Sequence, residues 1–249
     1  MIFRQLFEPL SCTYTYLLGC EQTGQALLID PVVNAIDRDL ALLQQLGLRL
    51  AWTVETHIHA DHITGARHLK ERVGSRIAVA ALDALPCADL GLQDGVPLTL
   101  GELSLLPIHT PGHTAHHLAF AGAGRLFTGD ALLIEGCGRT DFQGGSAADL
   151  YRSIHQRLFT LPDETLVYPG HDYQGRQVSS IGQEKARNPR LGQGRSAAEF
   201  EALMAALNLP YPKFIDHAVP GNRDCGRCPD DLPTQLQAYC GRMTESPQG

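Results

Sequence analysis

Residues 56–65 read THIHADHITG and hold four ligand-type side chains within six positions, His57, His59, Asp61 and His62. In an extended segment, the imidazoles of His57 and His59 point to the same side, and Asp61 and His62 follow as the chain begins to turn. The four side chains can therefore converge on one point. Clustering of this kind predicts a metal site, because histidines scattered over surface loops would not share such a spacing.

The neighbouring sequence indicates that the cluster lies on a loop between a strand and a helix. Residues 48–56, LRLAWTVET, form an apolar run typical of a buried strand. From Asp61 onward, ITGARHLKERVG has apolar residues at helical spacing. Either Asp61 or Thr64 is a candidate cap for the start of that helix.

Three further candidate ligands, His113, Asp130 and His171, each follow a short apolar strand segment. Ligands at the ends of several strands describe a metal site at a sheet edge. The donors are nitrogen and oxygen without thiolate, which suits zinc, manganese or iron. Two histidines and one carboxylate would suit a mononuclear Fe(II) oxygenase, whereas all seven residues would hold two metals bridged by Asp130 for hydrolysis.

The remaining pattern predicts mixed strands and helices. Residues 1–32 read as an opening hairpin, residues 37–47 as a helix, and residues 94–134 as a β-meander with Gly and Pro turns. Ser146 and Ser196 are predicted to cap two later helices, the second with Glu199 in a capping box.

Composition limits the classes of function. The 249 residues are 43% apolar and 19% charged, with a net charge of −7, so nucleic acid is not an expected partner. We expect one domain over residues 1–249 with a short C-terminal extension from about residue 210. No membrane span, signal peptide or transit peptide is readable, which predicts a cytoplasmic protein, or one in an organelle matrix if a transit peptide has been removed.

The seven cysteines are too few for a disulfide scaffold, so we expect reduced thiols. Cys225 and Cys228 form a single CxxC without a second pair, and they read as ordinary loop cysteines whose removal would leave folding intact. Cys137 reads as a packing residue.

Four motifs occur in the order typical of one family: HIHADH at residues 57–62, TPGH at 110–113, GD at 129–130 and PGHDY at 169–173. Together they make most of the chain similar to the metallo-β-lactamase superfamily. Within it, FEPLSCTYTYLL, LIDPV, THIHADHITG, GDALLIEGCGRTDFQGG and YPGHDY resemble the persulfide dioxygenase branch. GCGRTDFQ is the discriminating stretch, because glyoxalase II has a GCGR that is typically followed by an FEG-type sequence.

The resemblance implies an α+β fold, the metallo-β-lactamase αββα sandwich, with the metal at the sheet edges. It implies one Fe(II) per chain, held by His57, His113 and Asp130. The groups implied to orient the ligands or bound water are His59, Asp61, His62 and His171. Of these, Asp61, His62 and His171 are the expected catalytic residues. The implied reaction oxidises glutathione persulfide with O2 to sulfite and glutathione.

Two residues are candidate substrate contacts. Arg139 could grip a glutathione carboxylate with its fork-shaped guanidinium, or hold its own loop instead. Tyr173 could present its phenol to the same cleft. The family commonly continues TPGHT with x-Gly-Cys or x-Gly-Ser, whereas this chain has Ala115, His116 and His117, and we expect both histidines to have no role in the site.

Two alternatives stay open at this point. One is a binuclear zinc thioester hydrolase of glyoxalase II type, and the other is a metal-stabilised binding module without turnover. A homodimer is the candidate assembly.

Overall fold

The computed structural model describes residues 1–230 and 232–240. The end of the expected C-terminal extension, residues 241–249, lies outside them. By internal contacts the chain divides into two compact units. Unit 1 comprises residues 1–79, 84–90 and the chain from 211 onward, and unit 2 comprises residues 80–83 and 91–210.

The first sheet has six strands in the order β1-β2-β3-β4-β5-β6. These are β1 (Ile2–Glu8), β2 (Thr13–Cys20), β3 (Gln25–Ile29), β4 (Arg49–Val54), β5 (Arg76–Ala80) and β6 (Leu90–Leu92). Strands β1, β2 and β3 are antiparallel, which confirms the predicted opening hairpin. Strands β3, β4 and β5 are parallel, so their carboxyl ends share one edge of the sheet.

The second sheet has the order β12-β11-β10-β9-β8-β7. Its strands are β7 (Leu98–Leu100), β8 (Leu103–His109), β9 (Leu118–Gly122), β10 (Arg125–Gly129), β11 (Leu166–Pro169) and β12 (Ser179–Ser180). Strands β7 to β10 form the predicted antiparallel meander. Strands β10 and β11 are parallel, and β8 runs in the same direction as both. The ends of β8, β10 and β11 therefore lie at one edge.

Six α-helices complete the described chain: α1 (Ile36–Gln45), α2 (Ala66–Val73), α3 (Ala147–Ser153), α4 (Ile181–Arg187), α5 (Ala197–Ala205) and α6 (Ile215–Arg223). Two mixed sheets with helices confirm the α+β class. Among the described residues, no helix combines the length and apolar character that a membrane crossing requires.

Sequence capping signals are partly confirmed. The Ser146 hydroxyl accepts the amide of Asp149, and Ser196 with Glu199 forms a complete capping box. At α2 the expectation of an Asp61 cap is wrong, because the helix begins five residues later, after Gly65. Thr64 does contribute, since its hydroxyl accepts the Ala66 amide at 3.2 Å.

Each unit has its own apolar core. In unit 1, α1 and α6 contribute Ile36, Leu43 and Ala218 to a cluster with the buried strand residues Leu17 and Leu28. In unit 2 the buried cluster joins strand residues to helices α3, α4 and α5; it includes Leu126, Val167, Leu150, Ile181 and Phe200. These cores hold the strand ends that carry the candidate ligands.

The expectation of reduced cysteines throughout is wrong. Two disulfides are present, Cys87–Cys225 and Cys228–Cys240, which leaves Cys12, Cys20 and Cys137 free. Cys87 and Cys225 are 138 positions apart, so the local CxxC spacing does not indicate that they pair. Cys225 and Cys228 are therefore not ordinary loop cysteines.

Candidate metal centre

The loop after β4 brings its histidines together as predicted. His57, His59 and His62 are buried, whereas Asp61 is partly exposed. The ring centroids of His57 and His59 are 4.1 Å apart, and those of His59 and His62 are 4.3 Å apart. The convergence follows from the tight turn that the chain makes between the end of β4 and the start of α2.

Asp30, at the end of β3, fixes the orientation of His57 through Thr56. Its Oδ1 accepts the Thr56 amide at 2.7 Å, and its Oδ2 accepts the Thr56 hydroxyl at 2.8 Å. The Thr56 hydroxyl oxygen lies 2.9 Å from His57 Nδ1. Because that hydroxyl donates to Asp30, it accepts from His57 Nδ1–H, and Nε2 is then the nitrogen with the lone pair.

His59 is held between two buried carboxylates. Its Nε2 lies 3.2 Å from Asp30 Oδ1 and 3.3 Å from Glu55 Oε2. Burial alone would lower the pKa of His59, but the charge of Asp30 and the hydrogen bonds to both acids outweigh it and raise the pKa to about 10. Burial also raises the pKa of Glu55. Glu55 was not singled out from the sequence, although a carboxylate at the end of a buried strand is a usable signal.

Asp61 and His62 form a second contact pair in the same loop. Asp61 Oδ2 lies 3.0 Å from His62 Nδ1, and the Thr13 hydroxyl contacts both side chains, at 3.4 and 3.3 Å. Donor atoms of His59, Asp61 and His62 lie within 4.8 Å of one another, close enough to share an ion. His59 Nδ1 and His62 Nε2 are buried polar atoms with no hydrogen-bond partner in the described part of the chain.

In unit 2 the predicted ligands follow β8, β10 and β11. Asp130 Oδ1 lies 2.7 Å from His171 Nδ1, and Asp130 Oδ2 lies 3.7 Å from His113 Nε2. His113 Nδ1 donates to the Arg139 carbonyl at 2.7 Å, so Nε2 is again the nitrogen with the lone pair. The three residues meet because the strands that deliver them run in one direction.

A close backbone approach explains part of the GCGR stretch. A Cβ on Gly138 would lie 2.7 Å from His113 Nδ1 and would also collide with the Asp130 carbonyl. A Cβ on Gly170 would lie 2.7 Å from Asp130 Oδ1. Only glycine lets these loops pass so near the candidate ligands.

The expectation that His117 has no role in the site is wrong. Its side chain is fully buried; Nε2 accepts the Asp130 amide at 3.2 Å, and Nδ1 lies 2.8 Å from the Thr110 hydroxyl. β9 begins only at Leu118, so the preceding His117 turns inward toward the loop of Asp130. His116 is partly exposed and lies 2.9 Å from Asp83 Oδ1.

The guanidinium of Arg139 already has partners within its own unit. Nε and Nη2 donate to the two carboxylate oxygens of Asp141 at 2.6 and 2.7 Å, and Nη1 donates to the Pro210 carbonyl at 2.9 Å. The hydrogen bond from Arg139 lowers the pKa of Asp141. Tyr173 is 74% exposed, and its ring lies parallel to that of His171 at 6.1 Å.

Cys137 is buried, and desolvation raises its pKa to about 11. A thiol so reluctant to ionise is a packing residue and not a nucleophile, as predicted.

Comparison with known proteins places these motifs in context. A model of the metallo-beta-lactamase superfamily matches residues 11–171. The human mitochondrial persulfide dioxygenase ETHE1 is 48% identical over 229 residues, which cover 91% of this chain and 89% of that protein. The crystal structure of ETHE1 from Myxococcus xanthus is 52% identical, with a TM-score of 0.88, and covers 91% of this chain and 100% of that one. A hydroxyacylglutathione hydrolase from Rhodospirillum rubrum is 36% identical over 217 residues, covering 86% of this chain and 82% of that protein.

Proposed function

Because this chain belongs to the metallo-beta-lactamase superfamily, with its αββα fold, we propose that it is a persulfide dioxygenase. It oxidises glutathione persulfide with O2, and with one water the atoms balance to sulfite and glutathione. The observation that carries the proposal is the near full-length match to persulfide dioxygenases, at 48% identity with the human protein against 36% with the hydrolase.

We propose His57, His113 and Asp130 as the three protein ligands of a single Fe(II). The donor set supports this, since two imidazoles and one carboxylate form the facial arrangement of non-haem Fe(II) oxygenases. The 3.7 Å between His113 Nε2 and Asp130 Oδ2 is also suitable, because two atoms each about 2.1 Å from one ion lie no more than about 4.2 Å apart. The residues present therefore fit the metal. When bound, iron supplies the redox chemistry between the persulfide sulfur and O2.

Neighbouring residues fix the orientation of the proposed ligand side chains. Thr56 and the Arg139 carbonyl each take an Nδ1–H, which leaves Nε2 of His57 and of His113 as the ligating atom. His171 holds Asp130 Oδ1, so the carboxylate cannot rotate without breaking that contact.

His59, Asp61 and His62 are the other donor side chains of the loop that carries His57. The unpartnered His59 Nδ1 and His62 Nε2 are suited to orient a water or a substrate sulfur. Asp61, with 36% of its side chain exposed, accepts the Thr13 hydroxyl at Oδ2 and lies against His62. We assign Asp61, His62 and His171 to catalysis and His59 to orientation of the site.

One observation favours a second candidate, the binuclear zinc thioester hydrolase. The grouping of His59, Asp61 and His62 within 4.8 Å is compatible with a second ion. In that enzyme class, bound zinc would supply an activated water for hydrolysis of the thioester.

Protein purified without oxygen decides between the two. We expect iron near one per chain, O2 uptake with glutathione persulfide, and slow hydrolysis of S-lactoylglutathione. Zinc near two per chain with rapid thioester turnover and no O2 uptake would establish the hydrolase instead.

Arg139 and Tyr173 remain our proposed substrate contacts. For Arg139 to grip a glutathione carboxylate, the substrate has to replace Asp141 on the same guanidinium fork. For the compartment we propose the cytoplasm or an organelle matrix; the human relative is mitochondrial by name. A homodimer is the proposed assembly, and light scattering tests it.

Disulfides are rare in the cytosol, so the state of the two pairings in cells tests the proposed compartment. Alkylation of protein taken directly from cells measures this, since both pairings leave three free thiols out of seven.

A further inference from the structure

The loop of residues 57–64 is held from the far end of the sequence. Helix α6 and the turn after it, residues 215–226, are here called the C-terminal clasp. One buried side chain of the clasp, Asn222, lies against the main chain of the loop.

The side chain of Asn222 makes three hydrogen bonds, and within the described part of the chain all three go to the loop. Its Nδ2 donates to the carbonyls of His59, at 2.9 Å, and of His62, at 2.8 Å. Its Oδ1 accepts the amide of Thr64 at 2.9 Å. Both amide hydrogens and the carbonyl oxygen are thus used on main-chain groups of a single turn.

The clasp is itself fixed in place around Asn222. Cys225 is joined to Cys87 by a disulfide, and its carbonyl accepts the Arg67 amide at 3.0 Å. The Arg67 side chain also donates to the Asp224 carbonyl and carboxylate. Gly226 packs so closely that an added Cβ would collide with the Thr64 carbonyl. Asn222 is therefore presented to the loop from an anchored support.

We propose that Asn222 is a positioning residue for the metal-binding loop. It fixes the peptide groups on both sides of Asp61 and thereby the directions of the His57, His59 and His62 side chains. Side chains leave the main chain at fixed angles, so a loop free to relax would no longer aim its rings at one point. This inference rests on the proposed function only in taking residues 57–62 as part of a metal site.

Two variants separate the parts of this contact. Asn222→Asp keeps the shape of the side chain and the acceptor for the Thr64 amide. It replaces the donating Nδ2 by an oxygen, which repels the carbonyl oxygens of His59 and His62. Asn222→Ala removes all three hydrogen bonds. Metal-free protein is titrated with Co(II), whose absorption reports ligand geometry, and exchange of the Thr64 amide is followed by NMR without metal.

We expect both variants to bind Co(II) at least tenfold more weakly than the wild type, with an altered Co(II) spectrum, in line with the tenfold to hundredfold that outer partners of ligands contribute. The Thr64 amide should exchange faster in Asn222→Ala. Neither measurement depends on catalytic turnover. Wild-type protein that binds metal but oxidises no persulfide would therefore overturn the proposed function without contradicting the role of Asn222.

Two controls test whether the effect is specific. Asp224→Asn removes the carboxylate that faces Arg67, two positions from Asn222, without touching the loop main chain. Leu158→Ala truncates a fully buried side chain of unit 2. It serves as a variant that is destabilised to a similar degree as the Asn222 variants but has an intact loop. Both should bind Co(II) as the wild type does.

The proposal is overturned if Asn222 variants bind Co(II) normally, or if Leu158→Ala weakens binding equally. It is also overturned if both Asn222 variants fail to fold while Leu158→Ala folds, because Asn222 would then serve general stability.

Discussion

His57 and His113 come from different parts of the chain, yet each presents the same ring nitrogen for the same reason. In both, Nδ1 donates to an oxygen, the Thr56 hydroxyl in one case and the Arg139 carbonyl in the other. A ring held in this way needs neither a tautomer change nor a rotation to bind a cation through Nε2. The free-energy cost of orienting each ring for a cation is therefore low, because a single neighbouring oxygen already holds it.

Variants of the proposed metal ligands should differ from a variant of Asp61, which lies in the HIHADH motif but is not a proposed ligand. His113→Ala and Asp130→Ala should purify without iron, because each removes one of only three proposed protein ligands. Asp61→Ala should keep most of the iron and lose activity, since its carboxylate contacts His62 and Thr13. Metal analysis and O2 uptake measure the two effects. Complete loss of metal from the Asp61 variant would point to a second bound ion.

His117 supplies the acceptor for the Asp130 amide, and this is testable. His117→Phe fills the space but leaves that amide unsatisfied, so the free energy of unfolding should fall by about 1–3 kcal/mol. His117→Gln retains an oxygen near the Nε2 position and should lose less. Urea unfolding of the metal-free variants measures both. Equal losses in the two variants would mean that ring packing matters and the hydrogen bond does not.

Arg139 has two possible roles, which Asp141 can tell apart. If Arg139 binds a substrate carboxylate, Asp141→Asn weakens the competing contact and should lower KM for glutathione persulfide. Arg139→Ala should raise KM at nearly constant kcat and lower kcat/KM by roughly ten- to a hundredfold, the value of about 1.5–3 kcal/mol for a charge-assisted contact. A persulfide that lacks carboxylates is the control substrate. If both variants lose stability and leave KM unchanged, Arg139 only holds its loop.

At the residue level, the sequence predicted that the histidines of the loop converge, and the structure confirms it; it did not predict which residues hold them. The spacing of His57, His59, Asp61 and His62 is local, so the pattern alone predicted their convergence. The side chain of Asp30 lies 26 positions from its partner Thr56, and that of Asn222 lies 158 positions from its partner Thr64. Nothing in either local sequence marks such a contact, because only the pairing of strands and helices creates it.

At the scale of elements, α1 carries an unusual charge. Asp39 is fully buried, one of its oxygens has no partner in the described chain, and desolvation raises its pKa to about 6 despite the Arg38 guanidinium. The folded state therefore holds the Asp39 proton more tightly than the unfolded chain does. The stability this proton contributes is present below about pH 4 and is lost as the pH rises through about 6.

Asp39→Asn should remove this dependence. The free energy of unfolding of the wild type minus that of the variant should fall between pH 4 and pH 6.5, by about 3 kcal/mol at most. Urea unfolding of both proteins across that interval is the measurement, and taking the difference cancels the other titrating groups. Parallel curves would show that Asp39 ionises normally in the folded state.

Helix α6 reads IDHAVPGNR and contains Pro220 and Gly221, residues that usually end a helix. Pro220 is the sixth of its nine residues, where it donates no main-chain hydrogen bond. A local pattern of this kind does not indicate a helix. The strands of the meander and the helices capped by Ser146 and Ser196 were predictable because their signals are local.

At the scale of the whole molecule, the two disulfides should differ in worth. Cys87–Cys225 closes a separation of 138 positions and Cys228–Cys240 one of 12. Chain entropy then assigns about 5 kcal/mol to the first and about 3 kcal/mol to the second. Cys87→Ser should lower the urea midpoint of unfolding more than Cys240→Ser does. Because Cys225 and Cys228 are both disulfide-bonded, we now expect their removal to destabilise the fold instead of leaving it intact. Wild-type protein that unfolds identically with and without reductant would contradict both values.

The class of fold was readable from the sequence because it depends on patterns along the chain, and the proposed ligand set rests on the same kind of pattern. In the second sheet, β10 and β11 place Asp130 and His171 at one edge, which the order of apolar segments already suggested. Long-range pairing was not readable, and it includes the disulfides and the clasp. The single-domain organisation and the homodimer stay predictions.

The clasp also bears on the order of events during synthesis. Asn222 is translated 163 residues after His59, its hydrogen-bond partner. At about 5–20 residues per second, the ribosome exposes the metal-binding loop for roughly 8–30 s before the side chain that fixes it exists. Until then, a nascent chain carries this loop without the three hydrogen bonds of Asn222. We therefore expect a chain that ends before residue 222 to hold a cation at the loop less firmly than the finished polypeptide does.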